Sequence, residues 1–130
     1  MKRLKTSAEV GAYGERVAAR YLRLHGYAVR ARNWRSGHLE LDVIAETLRD
    51  VVFVEVKTRA YTEEHPLDRP PASAVNAEKQ RLTRQAARRY LAETPTKKQP
   101  RMDVLEVYLL RQAGTDRYRV KHIRHIKAAY

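Results

Sequence analysis

The stretch GHLELDVIAETLRDVVFVEVKTR, Gly37 to Arg59, constrains the fold more tightly than any other part of this chain. Apolar and polar residues alternate with a period of two on both sides of the polar cluster Glu46, Thr47, Arg49 and Asp50, which reads as two strands joined by a tight turn. With the turn centred between Leu48 and Arg49, Asp42 falls opposite Glu55, Glu40 opposite Lys57 and Ile44 opposite Phe53. Parity then puts Leu39, Leu41, Val43 and Ala45 on one face with Val52, Val54 and Val56, and Glu40, Asp42, Glu55 and Lys57 together on the other. A slip of one residue would exchange the faces, so the apolar set fixes the register.

Directly opposed residues have Cβ atoms about 4.5 to 5.5 Å apart, where like charges destabilise a sheet. Asp42 facing Glu55 therefore calls for a hard divalent cation on oxygen ligands, a raised pKa on one carboxyl, or solvent screening at an open sheet end. In the last case Glu40 and Lys57 form an ordinary cross-strand ion pair.

A chain of 130 residues is expected to form one domain, residues 1–130, with a core of its own. Lysine and arginine number 27 against 15 acidic residues, a formal net charge of +12 that favours a polyanionic partner, nucleic acid before an anionic membrane surface. Without cysteine there is no disulfide framework, thiolate metal site or thiol nucleophile, as suits a reducing cytoplasm. The basic start MKRLKTSAEV has no apolar run behind it and no segment approaches a membrane span, so neither export nor membrane insertion is expected. No repeat, P-loop or dinucleotide fingerprint appears.

Taken in order, residues 1–6 are expected to fray, and Ser7 to cap a helix running to about His25 and closed by Gly26. Val10, Tyr13, Val17, Tyr21 and Leu24 form its apolar stripe. Gly11 and Gly14 within it suggest close approach to another element. Glu15 lies at the edge of that face, either turned toward the sheet or paired with a nearby arginine at the surface. Tyr27 to Trp34 alternates as a first strand, with Tyr27, Val29 and Ala31 on one side; with the hairpin it makes an antiparallel meander. Trp34 reads as core or rim. Ala60 to Pro71 reads as a mobile loop. Ser73 is expected to cap a second helix, Ala74 to Ala92, with Val75, Leu82, Ala86, Tyr90 and Leu91 inside. Arg81, Arg84 and Arg88 form a basic ridge, with Lys79 one face over, suited to phosphate. Met102 to Leu110 and Tyr118 to Ile123 read as further strands around a turn at Gly114, and the closing RHIKAAY as a short helix. His122 and His125 alone make a poor zinc site.

Glu15, Asp42 and the triplet Glu55-Val56-Lys57 resemble the PD-(D/E)XK pattern of the restriction-endonuclease-like superfamily. GAYGERVAARYL, ARNWRSG, ELDVIA, FVEVKTR, KQRL and RMDVLEV, in this order, are similar to the small bacterial YraN-like proteins, themselves similar to archaeal Holliday-junction resolvases. The resemblance implies an α/β fold, a mixed central sheet of about five strands flanked by two long helices. It further implies that Asp42, Glu55 and the Val56 carbonyl hold Mg2+ or Mn2+, with Lys57, Glu15 and Glu40 as the catalytic companions. The chain departs from the family pattern in having Gly37-His38-Leu39 rather than glycine directly before Glu40, and in the length of the 60–71 loop.

The resulting expectation is a cytoplasmic, metal-dependent endonuclease hydrolysing phosphodiester bonds in DNA, with branched DNA a candidate substrate and with Arg35, Lys79, Arg81, Arg84 and Arg88 on the nucleic acid. A junction resolvase would need two active sites and hence a homodimer. The alternative is a nucleic-acid-binding or adaptor protein on a nuclease scaffold with little or no turnover.

Overall fold

The computed structural model describes residues 1–65 and 75–130. Its elements run β1 (Lys2–Arg3), α1 (Ser7–Leu24), β2 (Ala28–Ser36), β3 (Leu39–Glu46), β4 (Asp50–Tyr61), α2 (Ala77–Glu93), β5 (Gln99–Arg111) and β6 (Arg117–Ile126). They form one mixed sheet of order β1-β6-β5-β4-β3-β2. Strands β2, β3 and β4 make the expected antiparallel meander. Strand β5 then lies parallel to β4 along its whole length, from Asp50 beside Gln99 to Tyr61 beside Leu110. A parallel neighbour requires a crossover, and α2 lies within it.

Each helix buries its apolar stripe on a different face. Val10, Tyr13, Val17, Ala18, Tyr21 and Leu22 of α1 pack on Val43, Ala45, Val52, Val54, Leu105 and Val107. Leu82, Ala86, Ala87, Tyr90 and Leu91 of α2 pack on Leu39, Leu41, Ile44, Val51 and Phe53. Helix, sheet and helix thus form three layers, and β3 and β4 are buried on both sides. Among the described residues no helix is long and apolar enough to cross a membrane.

Several expectations are corrected. Within residues 1–6, where fraying is expected, Lys2 and Arg3 pair with β6 and Leu4 is buried. The cap of α1 is Thr6, which accepts from the Glu9 amide at 3.1 Å, not Ser7. Leu24 is 73% exposed, because the chain leaves the helix at His25 and Gly26, where φ is +86°, and the Tyr27 amide bonds back to the Leu22 carbonyl. Strand β4 continues through Ala60 and Tyr61 because β5 pairs with it there; of the loop expected over 60–71, residues 66–71 lie outside the described residues. Ser73 and Ala74 lie outside them too, and α2 is capped later by Asn76, whose side chain accepts from the Lys79 amide at 2.8 Å.

The tail is no helix. After β6 the Ala128 amide donates to Asp103 at 3.0 Å and the Ala129 amide to the Met102 carbonyl at 2.7 Å, with Ala128 held at φ +49°. Asp103, fully buried, also takes Arg101 and His125, and Arg101 reaches Asp50 and the Tyr27 hydroxyl. A buried carboxylate is tolerated when it is this fully hydrogen-bonded. The network ties β4, β5, β6, the tail and Tyr27 at the entry to β2 together.

Candidate active site

The hairpin register is as expected from Glu46–Val51 through Val43–Val54, and there the regular ladder ends. The next residue, Asp42, turns its side chain across the opening: Oδ2 accepts the Val56 amide at 2.9 Å. Opposite, on β2, Asn33 takes the left-handed conformation at φ +51°, which asparagine accommodates more readily than most residues. The two irregularities shift the faces. Leu39 and Leu41 pack with Ile44 and Phe53 beneath α2, not with Val43 and Ala45, so the single apolar face expected from parity is broken at Asp42. A strict period of two cannot foresee a kink that a side-chain hydrogen bond introduces.

The opening is where acidic groups converge. Asp42, Glu40 and Glu55 line one small cavity with Phe53, Lys79 and Thr83, and its free volume of about 10 Å3 is at the lower limit for one water molecule. Glu55 Oε2 is buried without a hydrogen-bond partner. Burial pushes the Glu55 carboxyl up, Lys79 opposes this, and Asp42 adds to it. Burial likewise raises Asp42, against the Val56 amide and Lys79, while Glu40 adds to the rise. Burial thus disfavours the charged form of both carboxyls, and Lys79 offsets part of that.

Glu15 comes from α1. Helix α1 meets β4 at Gly14, where a Cβ would overlap the Thr58 side chain, and this contact carries Glu15 toward the opening. Burial raises its carboxyl first and Asp42 second, with Asn33 and Arg32 opposing. Gly11, by contrast, has open space around it.

Glu40 pairs with Arg35, its neighbour across β2, at 3.5 Å, and the regular β3–β4 ladder does not extend to Lys57. Lys57 follows Glu55 on the same face of β4, lies beside Glu106 of β5 and opposes the rise in the Glu55 pKa. Glu106 is 1% exposed.

The basic ridge is not uniform. Arg81 is held by Glu78 at 2.7 Å, whereas Arg84 lies over the Tyr130 ring at 5.4 Å and neither Arg84 nor Arg88 has an ion pair among the described residues. Lys79, expected on nucleic acid, lies near enough to Asp42 and Glu55 to oppose the rise in both pKa values. Sequence reasoning does not find Thr83 or Tyr130. Thr83 stands one helical turn beyond Lys79, a spacing that offers a signal, but nothing in the sequence brings the tail to α2.

The carboxylate oxygens of Asp42 and Glu55 are donors of the kind that Mg2+ or Mn2+ takes, its shell being completed with water and phosphate. The described residues contain no group of three His, Cys, Asp or Glu side chains placed to hold a metal by themselves.

Fold and site together define a mixed α/β protein with a carboxylate pair and lysines at a break between central strands. The chain belongs to the family described as Uncharacterised protein family UPF0102, which it matches over residues 14–107. It is 38% identical over 116 residues to a UPF0102 protein of Bacteroides thetaiotaomicron, covering 89% of each chain. It is 42% identical over 126 residues to one of Mycolicibacterium vanbaalenii, covering 95% of this chain and 94% of that one. With a UPF0102 protein of Porphyromonas gingivalis it shares 43% over 99 residues, 76% of this chain and 70% of that one.

Proposed function

We propose that this protein is a divalent-metal-dependent nuclease of the PD-(D/E)XK type, hydrolysing phosphodiester bonds in DNA. The observation that carries the reading is the buried, unpartnered Glu55 Oε2 beside Asp42 in one cavity. A carboxylate oxygen so placed costs free energy unless a proton or a cation meets it.

Asp42 and Glu55, with the Val56 carbonyl, would hold the ion. When bound, such a cation neutralises phosphate charge and makes water a competent nucleophile near neutral pH. Lys57 donates to the phosphate oxygens as negative charge builds in the transition state, and its place on a central strand keeps it oriented. Glu15, with a raised pKa, is suited to exchange a proton with water. Arg84 and Arg88 hold the flanking backbone.

A second reading has one observation in its favour: Lys79 already supplies a positive charge at the carboxylates. On that reading the protein binds nucleic acid and does not cut it. Cleavage of linear, flapped and four-way DNA with Mg2+ or Mn2+, beside a metal titration followed by thermal melting, separates the two. The nuclease reading expects cleavage by wild type and none by Asp42→Asn or Glu55→Gln. It expects Lys57→Ala to lower the rate far more than it weakens binding. It also expects metal to raise Tm in wild type alone. Identical trace cleavage by wild type and Asp42→Asn on every substrate, with DNA binding retained, gives the binder reading.

A further inference from the structure

Beyond Thr83, α2 lines a second and larger cavity. It encloses about 350 Å3 between Arg84, Arg88 and Leu91 on the helix, Met102 at the start of β5, and Ala128 and Tyr130 of the tail. This volume lies within the range of about 300 to 1,000 Å3 usual for small-ligand sites.

We propose that this cavity is a nucleotide subsite, which receives an unstacked base against Tyr130 and the adjoining phosphate on Arg84 and Arg88. Resting on the nuclease reading above, it makes the preferred substrate a strand with an unpaired nucleotide beside the bond that is cut.

The chemistry is specific to such a group. Leu91 and Met102 offer apolar surface and Tyr130 an aromatic ring; Arg84, whose guanidinium lies over that ring at 5.4 Å, stands one turn from Arg88, and neither has an ion pair among the described residues. Arg101, which also borders the cavity, is occupied by Asp50 and Asp103 and does not compete for an anion. A flat group bearing a phosphate satisfies both halves of the site: stacking on an aromatic face tolerates any base, and the guanidinium fork matches phosphate oxygens.

The wall is built rather than accidental. Ala128 is held in the left-handed region by the bonds of the Ala128 amide to Asp103 and the Ala129 amide to Met102, which turn the tail back over α2. Thr83 borders the carboxylate cavity and Arg84 this one, so consecutive residues of α2 join the two. A base that enters here must first leave a duplex stack, which costs least at an end, a flap or a single-stranded stretch.

The test measures binding of wild type in EDTA, where no cation supports turnover, to a blunt duplex and to a duplex of equal phosphate number that ends in an unpaired extension. The ratio of the two affinities is the readout, at one salt concentration. The proposal expects roughly tenfold tighter binding of the extended DNA, a ratio kept by Tyr130→Phe and brought close to unity by Tyr130→Leu and by Arg84→Ala with Arg88→Ala. Equal affinities in wild type, a ratio that Tyr130→Leu leaves untouched, or one lost equally in Tyr130→Phe overturns it. The binding preference without cleavage in Mg2+ or Mn2+ would sink the nuclease reading and leave the subsite standing. Metal-dependent cleavage with no preference would do the reverse.

Discussion

Gly14 of α1 touches the Thr58 side chain of β4 so closely that there is no room for a methyl group between them. This packing brings α1, and with it Glu15, close to the opening beside Asp42. Gly14→Ala must push α1 away from the sheet or force Thr58 out of place. Overpacking of this kind costs about 1 to 3 kcal/mol. Denaturant unfolding should show that loss, returned in part in a Thr58→Ala background, because two of the three close atoms are then gone. Unchanged stability in Gly14→Ala would show that the helix sits free of the strand.

Asp42 and Glu55 should destabilise the protein they equip. A carboxyl whose folded pKa is raised contributes stability below its unfolded pKa and loses it as pH rises through the folded value. Both groups are raised by burial, so near neutral pH each ionises at a cost. Glu55→Gln should therefore stabilise the metal-free protein near neutral pH by on the order of 1 kcal/mol. The gain should vanish in acid, below the ordinary glutamate value of 4.5. Lys79→Met should act oppositely, since the lysine lowers both pKa values. Melting curves across this pH range check the sign.

Asp103 should show the reverse dependence. Burial raises its pKa, yet His125, Arg101 and the Ala128 amide outweigh burial and hold it at about 2, against 3.8 for the ordinary group. The stability it contributes is complete above the unfolded value and is lost as pH falls through the folded one. Asp103→Asn should lose on the order of 2 kcal/mol near neutral pH and should flatten the acid limb of the stability curve between about pH 4 and pH 2. An acid limb as steep as that of wild type would mean that the network contributes little to stability.

The arginines of α2 should differ in their salt dependence. On single-stranded DNA, every phosphate that a protein ceases to neutralise makes the slope of log affinity against log salt shallower by about 0.7. Arg84→Ala with Arg88→Ala should therefore flatten it by about 1.4, whereas Arg81→Ala, with its charge already met by Glu78, should change it little. Equal effects from all three would mean that the ion pair opens freely on binding.

Much of the fold is legible in the chain. Alternation locates the hairpin and its turn, and Ile44 does face Phe53. Helical spacing finds the inner faces of both helices, and Gly26 marks where α1 stops. Less legible is the end of the regular ladder, because a period of two carries no warning that the Asp42 side chain will take the Val56 amide for itself. The place of Lys79 is hidden for a related reason: a helical wheel ranks faces but does not say which strand will lie beneath them.

By itself the sequence determined the main elements, the turn register and the presence of two carboxylates with a lysine on one hairpin, since these depend on neighbours within a few residues. Only the tertiary structure decided that α2 would bring Lys79 and Thr83 to those carboxylates, that α1 would bring Glu15, and that the tail would carry Tyr130 back to Arg84. Those meetings join residues far apart in the chain, and they depend on close packing and buried hydrogen bonds that no local pattern encodes.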